Sequence, residues 1–219
     1  MKKIAPLSIL LSLCLLTIAF ARDLKVEGKK LLSEKPPFAV ALPSEFQLIH
    51  SSSAENREEN SLTRAYLFIR EKNKQVEEML IVQIADKTNP QAGPMMIPSL
   101  KPLAEKKLFS KGKIDRKGLE IDYLIQVMAW NPEAPSLRPL AAKGLTVPSH
   151  WALQGQCLFS YYAEHAVFIR YSKDANSFGF KVSQEGKSWE KDSISGNEKT
   201  ICEIFQKTFM TMIDSLRVQ

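Results

Sequence analysis

The sequence predicts an α+β domain, an antiparallel sheet of six to seven strands with helices packed on it and a closing C-terminal helix. Three observations carry this. Residues 195–217 place Ile201, Ile204, Phe205, Thr208, Phe209, Met212, Ile213 and Leu216 at intervals of three and four, one apolar stripe on a 3.6-residue helix. Residues 118–130 alternate Leu119, Ile121, Tyr123, Ile125 and Val127 with Glu120, Asp122 and Gln126, the period of a half-buried strand. Residues 63–70 and 75–85 are strand-like runs separated by the turn Glu71-Lys72-Asn73-Lys74, a hairpin. A helix apolar on one side needs a support, and the sheet supplies it. Ser195 followed by Glu198 fits a capping box at the helix start.

In chain order, residues 1–21 open with Met1-Lys2-Lys3, run apolar and end Ala19-Phe20-Ala21. A basic start, a short apolar core and an Ala-x-Ala site make a secretory signal peptide cleaved after Ala21. Cys14 is a poor lipidation site, because Leu13 stands where a small residue is wanted. No later apolar run is long enough to span a bilayer. Residues 22–37 are charged, end in Pro36-Pro37, and read as a flexible lead or short helix. The remainder, 38–219, reads as a single domain. Residues 38–42 and 46–50 are short strands, and the polar stretch 51–61 is a loop. Met79-Leu80-Ile81-Val82 is apolar on both faces, the mark of a strand covered on both sides. Pro90, Gly93, Pro94 and Pro98 make 87–98 a loop, and 99–109 suits a short helix. A long, proline-bearing insertion occupies 131–150. Residues 151–162 and 166–171 are two more strands, with a further edge strand expected near 178–182.

The formal net charge is +6, two of it on Lys2 and Lys3. That is mild and dispersed, unlike the footprint of a nucleic-acid binder. Cys157 and Cys202 are an even pair, which in an oxidising compartment reads as a disulfide; two buried free thiols are the other reading.

Catalytic spacing is missing. Gly186-Lys187-Ser188 lacks the leading glycine of a phosphate loop, since position 181 is Lys181. No nucleophile elbow, Cys-x-x-Cys or His-Glu-x-x-His occurs. A metal site built from His50, His150 and His165 requires three distant segments to converge. No metal and no cofactor are expected. The informative feature is apolar and aromatic surface in loops. Trp130, His150 and Trp151 bracket the insertion, Met95, Met96 and Ile97 lie in another proline-rich loop, and Trp189 lies in the last. These are the candidate binding residues, since exposed aromatics and methionines are enriched at interfaces. Tryptophans that close the ends of the core are the plainer alternative.

The opening Phe38-Ala39-Val40-Ala41-Leu42-Pro43-Ser44-Glu45-Phe46, the hairpin over 63–85, the meander ending Ala166-Val167-Phe168-Ile169-Arg170-Tyr171, and the finish Phe209-x-x-Met212-Ile213-Asp214-Ser215-Leu216-Arg217 resemble the Mog1/PsbP-like superfamily. The resemblance spans about 38–217, and the chain departs from it at 131–150 and 172–194. It implies an α/β/α sandwich and a non-enzymatic accessory role. The expectation is therefore an exported binding module, periplasmic or secreted, that contacts another protein of the bacterial cell envelope. A carrier of a small molecule or lipid is the alternative, with its pocket between sheet and C-terminal helix over Phe205, Phe209 and Tyr123. A hydrolase or metal enzyme sited near His150 or His165 is the third.

Overall fold

Two antiparallel meanders joined side by side make the main sheet. The first comprises β4 (Gln47–Asn56), β5 (Ser61–Lys72) and β6 (Gln75–Lys87). The second comprises β7 (Leu108–Arg116), β8 (Leu119–Ala129), β9 (Trp151–Tyr161) and β10 (His165–Asp174). β10 pairs with β6, so the order is β4-β5-β6-β10-β9-β8-β7, antiparallel throughout. A small sheet of order β1-β2-β3-β11 is built from β1 (Leu24–Glu27), β2 (Lys30–Glu34), β3 (Pro37–Ala41) and β11 (Arg217–Val218). A short α1 (Arg138–Ala142) and the long α2 (Gly196–Asp214) complete the elements that matter below. The computed structural model describes residues 23–218 apart from 92, 96 and 149, so the signal-peptide reading lies outside the described residues.

The alternation in each strand sorts side chains onto two faces. One face, with Phe68, Leu80, Ile169, Phe159 and Ile125, buries α2 and the small sheet lying beside it. Phe205 of α2 stacks on Tyr171 at 5.3 Å and on Phe209 at 6.3 Å between ring centroids. Phe38 of β3 meets Phe159 edge-on at 5.8 Å. Phe209 lies directly over Gly155, where a Cβ would come within 2.5 Å of the ring. The missing side chain is what lets helix and sheet approach so closely.

The opposite face is covered without a long helix. Leu137 and Leu140 of the 131–150 insertion pack with Leu67, Ile69, Met79 and Trp130. The insertion is also tied to the β5–β6 turn by Thr146 N–H to Lys74 O (2.9 Å) and Val76 N–H to Thr146 O (2.9 Å). It is a cover for the sheet. Leu140→Ala is expected to lower stability by about 2–5 kcal/mol, the usual range for a buried leucine, as measured by denaturant unfolding. A loss under about 0.5 kcal/mol would return the segment to the status of a surface loop.

Several sequence expectations are corrected. Residues 22–37 are no flexible lead, because residues 24–34 form the β1–β2 hairpin, with Leu24 and Leu31 in the core. The stretch 51–61 is not all loop: β4 runs on to Asn56, an edge strand that needs only backbone pairing with β5 and so keeps polar side chains. Residues 99–109 form no α-helix. Pro102 disfavours one, and the chain makes a single 3-10 turn at Glu105–Lys107 before entering β7. No strand forms at 178–182, where a 3-10 turn ends at Gly179 with φ 78°. The capping box is not made, since Glu198 Oε1 accepts from the Ser183 N–H (2.6 Å) instead.

The disulfide is corrected as well: Cys157 and Cys202 are free, and both are buried in the helix–sheet core. Asp214 at the helix end pairs with Arg116, whose register sets it at the C-terminal end of β9, so α2 and β9 run in broadly the same direction. Cys202 lies two turns before Phe209, about 10 Å along the helix. Cys157 lies two residues beyond Gly155, about 7 Å along the strand. The thiols therefore diverge from the Phe209–Gly155 contact. Burial pushes each thiol from 9.0 up to about 12. Above pH 9 the unfolded chain ionises its cysteines while the folded one does not, so stability falls as pH rises from 9 toward 12. The slope is up to about 1.4 kcal/mol per pH unit per thiol. Titration is expected to find both thiols free in denaturant without reductant and unreactive in the native state. Between pH 9 and 11, C157A/C202A is expected to lose less stability than the wild type; an equal loss would contradict the burial effect.

Candidate ligand-binding cleft

The expected binding residues do not assemble. Trp130 is buried on the face that α1 covers, with its backbone N–H bonded to His150 O (3.0 Å). Trp151 is on the opposite face beside the buried Trp189 at 6.4 Å, with Lys107 Nζ 3.8 Å from its ring centroid. Trp151 Nε1 donates to Gln184 O (3.1 Å) and Trp189 Nε1 to Ser183 O (2.9 Å). These tryptophans close the core. Met95 is held at the other end of the sheet, its N–H bonded to Ala163 O (3.1 Å) in the β9–β10 turn. Ile97 is exposed, and Met96 lies outside the described residues. The eleven residues of β9 separate the Met95 end from the Trp151 end, roughly 30 Å.

The pocket expected between sheet and C-terminal helix is filled, since Phe205 and Phe209 are 1% and 0% exposed and stacked on one another. The histidines stay apart. His150 and His165 flank opposite ends of β9. His165 Nδ1 is 2.7 Å from Asp86 Oδ1, a carboxylate already bound by Arg64. Among the described residues no group of three His, Cys, Asp or Glu converges as a metal site.

A cleft opens instead on the sheet face away from α2, between two covers. Residues 98–101 roof one lobe of about 350 Å³, walled by Leu100, Leu158 and Phe168. Pro135 and Pro139 of the insertion wall a second, of about 290 Å³, with His50 and Ile81. Arg170 and Gln83 line both lobes. These volumes suit small-molecule sites.

The floor is unusual for a covered sheet because it is polar. Arg170 stands opposite Gln156 and Ile81 in register. Gln156 Nε2 donates to Gln154 Oε1 (2.5 Å), which also accepts from Gln126 Nε2 (2.8 Å). Gln126 Oε1 in turn accepts the Leu103 N–H (2.8 Å), anchoring the roof segment. The amides thus satisfy one another, but Arg170 is not part of the chain. Its Nε is shielded from solvent and has no hydrogen-bond partner, and its guanidinium carbon lies 5.1 Å from the Phe168 ring centroid. Burial lowers its pKa below the usual arginine value, and an arginine stays charged even so. The described lining of the two lobes contains no carboxylate.

Sequence reasoning passed over Arg170, Gln156 and Gln83. A signal was present: β6 reads as a strand covered on both sides, and in a strand beside it Val167, Ile169 and Tyr171 take one face, leaving Arg170 on the other. A charge there is expected to meet a ligand or a partner. No protein-family model, curated protein or solved structure matches the chain.

Proposed function

We propose that this chain is an exported, non-enzymatic binding module of the bacterial cell envelope that holds a small ligand in the cleft on the open sheet face. One observation carries the reading: the half-buried Arg170 in the cleft floor has a shielded Nε without a hydrogen-bond partner. Desolvating a charge without a partner is unfavourable, and such sites concentrate where a protein binds something. Export follows from the signature at residues 1–21, and the accessory role from the Mog1/PsbP-like resemblance. The test is native mass spectrometry of protein recovered from the envelope of its host, with amide shifts of Phe168 and Arg170 on adding extracted small molecules. A retained mass and shifts confined to the cleft are expected; an unladen protein with unmoved cleft amides would reject the reading.

A contact with another envelope protein is the second reading. It is favoured by the β9–β10 turn, where Tyr162 is 80% exposed with φ 51°, next to Ala163, which holds Met95. Photo-crosslinking from position 162 in intact cells tests it, and a single discrete adduct is expected.

A further inference from the structure

We propose that the cleft takes an amphiphilic monocarboxylate, its head on the Arg170 guanidinium and its apolar body in the lobe under Leu100. The inference rests on the cleft reading above and adds the chemical class of the ligand. Three features select an anion. The described residues of the two lobes include no acid, while Arg170 and the rim residue Lys101 are cationic. The Arg170 side chain lines both lobes, and its Nε finds no hydrogen-bond partner, so the guanidinium has donors to give. The Phe168 ring lies against the guanidinium, an arrangement that limits the fork's freedom and leaves its edge for a planar acceptor.

The number of charges selects a monoanion. A single half-buried guanidinium neutralises one negative charge, and its fork matches the two oxygens of a carboxylate. A dianion such as a phosphate monoester would bring a second charge into a lobe walled by Leu100, Leu158 and Phe168, where the one further cation of the described lining, Lys101, is exposed on the rim and screened by solvent. The apolar walls ask for a hydrocarbon body behind the head.

The experiment titrates the full chain with decanoate, decanol and inorganic phosphate by calorimetry, with amide shifts recorded in parallel. Decanoate is expected to bind one to one, at least tenfold tighter than decanol, with phosphate not binding. Arg170→Met is expected to cost decanoate at least tenfold while leaving decanol unchanged. It is also expected to leave the unliganded chain at least as stable as the wild type, because it removes an unpaired charge. Ala166→Phe, which fills the lobe and keeps the arginine, is expected to abolish both. Equal affinity for decanoate and decanol, or decanoate binding untouched by Arg170→Met, would overturn the anion assignment and leave the cleft as a neutral-ligand site. An Arg170→Met chain that is unstable would likewise overturn it, since the guanidinium would then be paired within the fold. If none of the three probes moves a cleft amide, the cleft reading falls along with it.

Discussion

Phe209→Ala and Gly155→Ala are each expected to destabilise this protein, and together to cost less than the sum. Phe209 is wholly buried, stacked on Phe205 and seated on Gly155. Its truncation removes aromatic area and leaves a cavity between two rigid elements, at about 3–5 kcal/mol. At Gly155, an added Cβ would stand 2.5–2.7 Å from three atoms of the Phe209 ring. Phe205 stacked against that ring hinders its retreat, so the overlap must be relieved by shifting α2 or β9, at about 1–3 kcal/mol.

The double variant separates this account from generic damage. With the ring gone, the methyl at 155 enters space that Phe209→Ala has vacated, so the second substitution is expected to be nearly silent or mildly favourable. Contacting residues of this kind show coupling of about 0.5–3 kcal/mol. Urea unfolding of the four-member cycle measures it, and additive losses would mean that the helix does not seat on Gly155. Ile204 supplies the contrast. It belongs to the same i, i+3, i+4 series but is 42% exposed, so Ile204→Ala is expected to change stability by less than about 1 kcal/mol.

That contrast also shows how far the sequence can be read. Strands that bury one face fully announce themselves by alternation, and β5, β6, β8, β9 and β10 fall where the apolar pattern puts them. The small sheet is different. β3 is read from its alternation over residues 38–42, but β1, β2 and β11 are four, five and two residues long, too short for a period to stand out, and they owe their form to pairing with their neighbours. β4 and β7 are the edge strands of the large sheet, where backbone bonds suffice and polar side chains are tolerated. The helix was legible as a stripe, but not its width, because which residues at the margin are covered depends on the small sheet beside it. The cleft was illegible for the same reason. Arg170 stands out in its own strand only as a charge on a covered face, and its setting needs Gln83 and Gln156 from neighbouring strands, and covering segments about 30 to 70 residues distant, to be placed around it.

Arg64→Ala is expected to be the other large loss, and to act by loosening the small sheet from the large one. Arg64 is 3% exposed and serves both sheets at once. Its Nη1 donates to Asp23 Oδ2 (2.6 Å) and its Nη2 to Lys35 O (2.8 Å), on either side of the β1–β2 hairpin. Its Nε donates to Asp86 Oδ2 (2.9 Å) on the neighbouring β6. Removing it strands Asp86, whose side chain is 13% exposed, with His165 Nδ1 as its remaining side-chain hydrogen-bond contact. Breaking a buried pair from one side in this way typically costs about 3–5 kcal/mol, a large share of the roughly 5–15 kcal/mol a domain has in hand. Lysine is expected to rescue little, because an ammonium keeps the charge but not the fork that reaches two carboxylates and a carbonyl together. Hydrogen exchange distinguishes this from a global effect: Arg64→Lys should speed exchange in β1, β2 and β3 well before β8, β9 and β10. Arg64→Met with Asp86→Asn, which takes away the stranded charge as well, is expected to recover part of the loss. Uniform exchange across both sheets, or full rescue by lysine, would show that the small sheet is held by its apolar contacts alone.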